Sequence, residues 1–350
     1  MDVGSSKLYQ EPGFKSRVFL DTFFSLNTDK SLQEETLMFP MKQMHKALLS
    51  GLIGGDTLID VTLGPIIHHL LPICTFFKNI IILEFNEECV KEMEKWLNTE
   101  TEAFDWSHAS QFITELGGNR VHWLEQEHML KKTIKHIVKC DLAKENITDP
   151  VILPKADCLL IVGGLDVVSK DHESYRQNLG KLSSFLKPGG HLILFGALNA
   201  TFYQVGEHRC HVLTADEPFL RQALTDEGYT IECFEALERK AEKNSINTPK
   251  VLLVRTIKDA TRMSPTSATT NEHLLLLGLG WTETVRSKGW GGTRELCVWD
   301  RQCVYVRGIR KMRKGQVMST PQRPRNEQIP LMNQPTATNS PSPKSTAVER

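Results

Sequence analysis

The chain has 350 residues with 42 Lys+Arg and 42 Asp+Glu, so its formal net charge is zero. This balance gives no overall attraction to nucleic acid or to a membrane surface, and a hydrophobic content of 40% is enough for a substantial core. The charge is nevertheless uneven, because residues 259–350 hold 14 Lys+Arg against 7 Asp+Glu while residues 1–258 hold 28 against 35. We therefore expect an acidic folded body followed by a basic extension.

The sequence carries no pattern that directs it to a membrane or to secretion. The first residues lack a basic start followed by an apolar run, so a signal peptide is not expected. The longest late apolar stretch, residues 274–281, is far shorter than the ~20 residues that span a bilayer. Eight cysteines without paired spacing are typical of a reducing compartment. We expect a soluble protein of the cytosol.

Helix-like and strand-like segments follow one another in a regular order along the first 258 residues. Two helical patterns, at 16–24 and 34–50, precede the first strand pattern. The predicted strands are 57–63, 80–85, 137–142, 158–163, 191–197, 230–237 and 251–257. The predicted helices between them are 87–97, 125–135, 172–186 and 217–227. Such alternation predicts an α/β fold with a mostly parallel seven-stranded sheet, helices on both faces and an antiparallel hairpin at one edge.

The pattern predicts one folded domain and one extension. Residues 1–258 form the predicted domain, with the helices of residues 1–50 as an N-terminal cap, and residues 259–350 form a basic, largely disordered extension. Within this extension, RGIRKMRK (307–314) could contact RNA or anionic lipid, but a solvated tail explains it as well. We expect neither a nucleic acid nor a membrane as a partner.

The segment 182–198, LSSFLKPGGHLILFGAL, is the most informative part of the chain. An amphipathic helix ends before a Lys-Pro-Gly-Gly sequence, which predicts a turn because proline cannot continue a helix and glycine tolerates a reversal. The strand that follows is apolar on both faces, which is typical of a parallel sheet covered by helices on both sides.

Ligands of open parallel sheets bind beyond the carboxyl ends of the strands, so the residues that follow each strand are candidates. After the first strand, DVTLGP (60–65) contains a single glycine, Gly64, which suits either a cofactor loop or an ordinary turn. Glu84 ends the second strand, where a carboxylate can accept hydrogen bonds from both hydroxyls of a ribose. A solvated rim residue is the alternative interpretation of Glu84.

Two further strand ends carry acidic residues. Asp141 could accept a hydrogen bond from the amine of adenine, with Leu142 packed on the ring, or it could be a turn residue. Gly163 and Gly164 would allow a ligand to approach closely. Asp166 after them could lie beside the reacting group or could cap the next helix.

Other site classes find little support in the sequence. The dinucleotide fingerprint GxGxxG is missing, which argues against a nicotinamide-dependent oxidoreductase. No CxxC, HExxH or GxSxG occurs, so neither a metal site nor a serine nucleophile elbow is predicted. Adjacent histidines at 68 and 69 would point in different directions.

Nine short motifs between about residue 9 and 258 share one resemblance: FLDTFF (19–24), GDTLIDVTLGP (55–65), EKWLNTETEAFDWS (94–107), GGNRV (117–121), VKCDL (138–142), LPKADCLL (153–160), KPGG (187–190), YQVGE (203–207) and EGYTIECFE (227–235). With these motifs the chain resembles the vertebrate small-molecule N-methyltransferases that act on nicotinamide, phenylethanolamine and indolethylamine. The run at 94–107 is specific to that family, whereas KPGG is common to many methyltransferases. The nicotinamide type is the most similar.

The resemblance implies a Rossmann-like class I methyltransferase fold, S-adenosyl-L-methionine as the cofactor, a small amine or pyridine as the substrate and a monomeric protein. The catalytic residues that it implies are Asp166 and Tyr203. The implied substrate contacts are Phe19, Gly163, Asp166, Gly196, Ala197 and Ala200. The implied cofactor contacts are Phe19, Phe24, Asp60, Thr62, Leu63, Gly64, His68, Glu84, Cys89, Asp141, Leu142 and Val162.

Several positions depart from the family pattern. Thr62 and Leu63 stand where Gly and Ser are usual, and Glu84 replaces an Asp. Gly196 stands where the nicotinamide enzymes have an Asp that holds the substrate amide, and Ala200 replaces a serine. Non-tyrosine rings occupy places where the family has tyrosines: Phe19, Phe23, Phe24 and His68. Two functions stay open at this point: an active N-methyltransferase, or a catalytically silent relative that binds a metabolite or partner without turnover.

Overall fold

A computed structural model of the chain describes Tyr9 and residues 13–51, 53–118, 120–240 and 246–260. The extension for which disorder is predicted lies outside the described residues from position 261 onward. Across the described part of the chain, no helix combines the length and the apolar character that crossing a membrane requires.

The N-terminal cap consists of helices α1 (Ser16–Phe23), α2 (Lys30–Gln33) and α3 (Phe39–Leu49), with a π-helical turn between α2 and α3. Helix α2 begins after Asp29, whose carboxylate accepts hydrogen bonds from the N–H groups of the first turn. Pro40 is the second residue of α3 and directly follows the π-helical turn. The helix predicted at 34–50 is therefore one part of a longer helical segment that begins at residue 30.

A seven-stranded sheet forms the centre of the domain, flanked by five helices and followed by a small hairpin. The sheet strands are β1 (Gly55–Thr62), β2 (Phe77–Glu84), β3 (Ile134–Lys139), β4 (Ala156–Val162), β5 (Leu186–Leu198), β8 (Tyr229–Glu238) and β9 (Lys250–Lys258). The hairpin strands are β6 (Phe202–Val205) and β7 (His208–His211). The helices are α4 (Glu87–Leu97), α5 (Ser107–Leu116), α6 (Trp123–Thr133), α7 (His172–Ser183) and α8 (Glu217–Asp226).

The strand order is β3-β2-β1-β4-β5-β9-β8, and the first five of these strands are parallel. This arrangement confirms the predicted Rossmann-like α/β fold with a helical cap. The predicted antiparallel hairpin of the last two strands is also present at one edge of the sheet. Strand β9 inserts between β5 and β8 and pairs antiparallel with both, so β8 is the edge strand.

The predicted turn at 187–190 is part of β5 instead. Leu186 already pairs with Ala156, and His191 pairs with Cys158, so the residues between them form a bulge opposite a single residue of β4. Gly190 makes this close approach possible, since a Cβ there would lie 2.9 Å from the carbonyl oxygen of Asp157. The strand is long because the bulge absorbs the extra residues without breaking the pairing.

Two elements were not predicted from the sequence. Helix α5 was missed although Ala109, Phe112, Ile113 and Leu116 have helical spacing, and it buries Ala109 and Ile113 among its apolar side chains. The hairpin of β6 and β7 has strands of four residues each, too short for a clear alternation. This hairpin matters for function because it carries Tyr203.

Asp157 ties three elements of the sheet together near the amino ends of the strands. One carboxylate oxygen accepts the N–H groups of Asp56 and Thr57 at the start of β1, at 2.8 and 3.0 Å. The other accepts a hydrogen bond from Lys187 in the bulge at 2.6 Å. The Cβ position of Gly55 is filled by this same side chain, which explains the glycine.

We predict that Asp157→Ala lowers the free energy of unfolding by about 1–3 kcal/mol, because two backbone donors and one ammonium lose an ionised partner. Urea denaturation followed by far-UV circular dichroism measures this loss. The control is Asp56→Asn, which removes only the exposed pair with Lys78 and should change stability by less than about 1 kcal/mol. Equal effects of the two substitutions would contradict the role given to Asp157.

Candidate active site

The candidate site lies at the carboxyl edge of the sheet, where the strand order changes direction. Chain connections lead from β1 to β2 on one side and later to β4 on the other, which leaves a crevice beyond the ends of β1 and β4. Hydrogen bonds continue past the strand ends here, with the Leu63 N–H bonded to the Val162 carbonyl and the Gly163 N–H to the Phe195 carbonyl. These bonds fix the loops that face the cap.

A cavity of about 150 Å³ lies between the cap helices and the ends of β1, β4 and β5. All residues assigned above to the substrate or to catalysis contribute to its wall: Phe19, Gly163, Asp166, Gly196, Ala197, Ala200 and Tyr203. Residues separated by more than 180 positions in the sequence thus meet around one space. The structure brings the predicted substrate and catalytic residues together.

The wall of the cavity is almost entirely apolar. Its polar side chains are Glu35, Thr36, Asp166 and Tyr203. The carboxylate of Glu35 is already bound, because it accepts hydrogen bonds from Arg239 Nε at 2.7 Å and from the Lys240 N–H at 2.6 Å. This ion pair links the π-helical turn of the cap to the end of β8.

Asp166 is the cavity carboxylate that makes no ion pair within the described part of the chain. It lies on a short 3-10 turn after β4 and is 5% exposed. Burial raises the pKa of its carboxyl group to about 7, although backbone N–H groups of the turn counteract part of this effect. A group that titrates near neutrality beside an apolar cavity can accept a proton from a bound ligand.

Tyr203 lies on strand β6 and lines the same cavity as Asp166. Its hydroxyl is buried and interacts with the thiol of Cys210, the residue that pairs with Tyr203 on β7. Burial also raises its pKa well above the usual value, so the phenol stays neutral. The ring packs edge-on to Phe19 at a centroid distance of 6.4 Å, and it thereby closes one side of the cavity.

The residues assigned to the cofactor fall into two groups. Four of them line the cavity: Phe19, Phe24, Leu63 and Val162. Eight do not line it: Asp60, Thr62, Gly64, His68, Glu84, Cys89, Asp141 and Leu142. Within the second group most side chains are buried against other protein groups, so the cavity covers the substrate half of the predicted site and only the adjoining part of the cofactor half.

Glu84 is completely buried and its carboxylate is saturated with hydrogen bonds. One oxygen accepts from the N–H groups of Phe85 and Asn86, at 2.6 and 2.8 Å. The other accepts from the Gly64 N–H at 3.2 Å and from the Tyr9 hydroxyl at 3.1 Å. Burial raises the pKa of this carboxyl group to about 8 against the opposing effect of these donors.

Tyr9 is a site residue that the sequence analysis did not single out. Its hydroxyl lies 3.1 Å from Glu84 Oε2, accepts the Gly64 N–H at 2.7 Å and lies 3.0 Å from Cys89 Sγ. Neither periodicity nor a local motif distinguishes this tyrosine, since it precedes the first helix. Its side chain occupies the position beside Glu84 that the prediction gives to a ribose.

Two apolar side chains pack against glycines in the loops that follow β1 and β4. The ring of Phe19 lies where a Cβ of Gly64 would be, and Leu63 lies 2.9 Å from the Cβ position of Gly163. Both glycines have positive φ, at 102° and 93°, which favours glycine independently of the space. Leu63 therefore packs closely against Gly163 between the ends of β1 and β4.

Asp60 and the two adjacent histidines form a buried polar group beneath the loop. His69 Nε2 lies 3.0 Å from each oxygen of the Asp60 carboxylate, and both side chains are fully buried. His68 points elsewhere and lies between the rings of Phe24 and Trp106, at centroid distances of 5.0 and 5.6 Å. Burial lowers the pKa of His68 well below its usual value, so this ring is a neutral part of the aromatic packing.

Asp141 and Leu142 lie on a turn after β3. The Asp141 side chain is exposed and accepts a hydrogen bond from the Ala143 N–H at 2.9 Å, which is the geometry of an ordinary turn aspartate. Leu142 is partly buried. Across the described residues, no group of three or more His, Cys, Asp or Glu side chains is placed to hold a metal ion.

The chemistry of the donor set fits a ribonucleoside cofactor. A buried carboxylate at the end of β2 and a glycine N–H at the end of β1 are groups that hydroxyls of a ribose can bind. Their hydrogen-bonding capacity is used by Tyr9 in this conformation, and the ring of Phe19 covers Gly64. The residues thus suit the nucleoside, and Tyr9 and Phe19 determine whether there is room for it.

Comparison with known proteins gives one consistent family. A sequence model described as the NNMT/PNMT/TEMT family matches residues 5–259. Nicotinamide N-methyltransferase of Sus scrofa is 36% identical over 234 residues, which are 67% of this chain and 89% of the relative. Indolethylamine N-methyltransferase of Oryctolagus cuniculus is 37% identical over 63% of this chain and 83% of its own length. Phenylethanolamine N-methyltransferase of Macaca mulatta is 34% identical over 55% of this chain and 68% of its own length.

Asp166 should make the stability of the protein depend on pH. Because its pKa is raised by folding, the folded protein keeps a proton that the unfolded chain releases near pH 4. The stabilisation from this proton is complete below about pH 4 and is lost as the pH rises to about 7. We predict that the free energy of unfolding of Asp166→Asn falls by up to about 4 kcal/mol less than that of the wild type as the pH rises from about 4 to about 7.

Urea titrations of both proteins at pH 4.5, 6 and 7.5 measure the effect as the change in their stability difference. Asp226→Asn is the control, because Asp226 is exposed and pairs with Arg176 at the surface. A stability difference between wild type and Asp166→Asn that stays constant across this range would contradict the raised pKa.

Proposed function

This chain belongs to the NNMT/PNMT/TEMT family, and we propose that it is an S-adenosylmethionine-dependent N-methyltransferase that acts on a small aromatic or alkyl amine. The observation that carries the proposal is the cavity whose wall contains every predicted substrate and catalytic residue. The names of the relatives, which include nicotinamide and indolethylamine N-methyltransferases, support the reaction class. They leave the choice of amine to the residues of this chain.

The lining of the cavity favours an apolar amine over nicotinamide. Aromatic rings of Phe19, Phe24 and Phe39 form one wall, and Gly196 offers no side chain that could bind a carboxamide. The ammonium group of an arylalkylamine would instead find Asp166, the carboxylate that has no cationic partner among the described residues. A flat or extended hydrocarbon part would then be covered by the phenylalanines.

Different residues of the chain would bind the cofactor, exclude water and accept a proton. S-adenosylmethionine, when bound, supplies an electrophilic methyl group on a positively charged sulfur. Glu84 and the Gly64 N–H would hold its ribose, and the apolar wall would exclude water from the amine. Asp166 would take the proton from a protonated amine, because a nitrogen lone pair must be free before it can be methylated.

A second function is favoured by the closed cofactor half. Tyr9 donates to Glu84, Phe19 covers Gly64, and Leu63 packs closely against Gly163. A family member with these features could bind an apolar amine in the cavity without methylating it. Binding without turnover is therefore the alternative that the experiment must separate.

Incubation of the purified protein with S-[methyl-³H]adenosylmethionine and a panel of amines and pyridines tests the proposal directly. We expect labelled product from apolar arylalkylamines at rates above those with nicotinamide. Calorimetry on the same preparations shows whether cofactor and amine bind. Amine binding without labelled product from any member of the panel would favour the silent alternative.

Asp166→Asn should lower kcat/KM for a primary alkyl amine about 100-fold at pH 7, since general-base catalysis contributes on the order of 10²–10⁴. The rate with a pyridine, whose nitrogen carries no proton at that pH, should change less than about 3-fold because no base is needed. The pH–rate profile for the amine should also lose its acid limb near pH 7. Equal losses with both substrates would assign Asp166 to binding or folding instead.

A further inference from the structure

The hydrogen bonds of Glu84 divide by origin into a fixed and an exchangeable part. Three donors are backbone N–H groups that belong to the ends of β1 and β2: those of Gly64, Phe85 and Asn86. The fourth is the hydroxyl of Tyr9, which comes from a position 75 residues earlier in the chain. Removing Tyr9 would leave the three backbone donors in place and free one acceptor site of the carboxylate.

The Tyr9 hydroxyl reproduces the contacts that a ribose hydroxyl would make. It donates a hydrogen bond to Glu84 Oε2 and accepts one from the Gly64 N–H. The same N–H also bonds to Glu84 Oε2. A sugar hydroxyl is likewise both a donor and an acceptor. Because a buried carboxylate cannot remain without donors, a ligand that displaces Tyr9 must provide an equivalent group.

The position of Tyr9 is held by further contacts. Its carbonyl oxygen accepts a hydrogen bond from Asn86 Nδ2 at 3.2 Å, and its ring packs edge-on to Phe14 at 4.8 Å. Phe14 in turn contacts Phe19, which lines the cavity and covers Gly64. The side chain that fills the nucleoside subsite is thus connected through two rings to the wall of the substrate cavity.

We propose that Tyr9 is an internal competitor for the nucleoside subsite, whose hydroxyl must leave Glu84 and Gly64 before a ribose can bind. This inference rests on the proposed function, since it concerns the cofactor of the same site. A ribonucleoside can then bind only those molecules in which the Tyr9 hydroxyl has left Glu84 and Gly64. The measured affinity is lower than the affinity of these molecules in proportion to their fraction. Tyr9 is an affinity-determining residue and takes no part in the methyl transfer.

Calorimetric titration of wild type and Tyr9→Phe with S-adenosylhomocysteine tests the proposal without measuring turnover. Tyr9→Phe keeps the ring and removes the hydroxyl. We expect the variant to bind about 10-fold more tightly, while its melting temperature without ligand falls because Glu84 loses a donor. A residue with a merely structural role would lower both the stability and the affinity.

Two controls isolate the effect. Tyr229→Phe removes a comparable buried hydrogen bond, from the Tyr229 hydroxyl to Ser183 Oγ at 2.9 Å, and should lower stability without changing the affinity. In a Glu84→Gln background, Tyr9→Phe should change the affinity by less than it does in wild type, because the Tyr9 hydroxyl then competes mainly through its contact with the Gly64 N–H.

The outcomes separate this inference from the proposed function. Tighter binding by Tyr9→Phe supports the competition. Equal or weaker binding, with wild type still binding the ligand, overturns it and leaves the methyltransferase proposal intact. If wild type, Tyr9→Phe and Tyr9→Ala all fail to bind at millimolar ligand, then freeing Glu84 does not create a nucleoside site, and both the competition and the cofactor proposal are wrong.

Discussion

The burial of the Glu84 carboxylate is the constraint on which the cofactor half of this site depends. A carboxyl group taken out of water loses solvation, and burial raises the pKa of Glu84 to about 8, so donors must replace the water if the group is to ionise. The described residues place no cation beside Glu84, so the replacement comes from four hydrogen bonds. Three of them are supplied by the backbone, which requires that the ends of β1 and β2 keep their present geometry.

The same constraint explains why the two halves of the site differ. The substrate half has an almost entirely apolar wall, with Asp166 as its carboxylate that has no ion-pair partner among the described residues. The cofactor half contains polar groups that must be satisfied at all times, and the chain satisfies them with Tyr9. Leu63 and Phe19 then cover the remaining surface. A formed cavity can therefore lie beside a subsite that the protein fills with its own side chain.

Much of the fold follows from local patterns in the sequence. Helix α4 was predicted with the bounds that the structure has, because its polar and apolar residues alternate with a clear helical period and Asn86 caps it. Four of the five parallel strands, β1, β2, β4 and β5, were predicted because they are mostly apolar on both faces. The insertion of β9 beside β5 could not be predicted, since a hairpin can dock on a sheet by either of its strands and only the packing of the whole sheet decides.

Some residues of the candidate site could likewise be predicted from the sequence, and others could not. Residues that follow strand ends, such as Glu84, Gly163 and Asp166, could be identified because parallel strands bring their carboxyl ends to one edge. The pairing of Asp60 with His69 and the contact of Tyr9 with Glu84 could not, because each depends on a side-chain direction or a distant segment that no local period encodes. The bulge at 187–190 was missed for a related reason, as proline and glycine signal an interruption without saying whether the strand resumes.

The most direct test of this account is a crystal structure of the protein with S-adenosylhomocysteine and an arylalkylamine. The account predicts ribose hydroxyls on Glu84, the Tyr9 hydroxyl displaced from that carboxylate, and the amine in the apolar cavity beside Asp166. A complex in which Tyr9 remains on Glu84 and the nucleoside binds elsewhere, or does not bind, would contradict it.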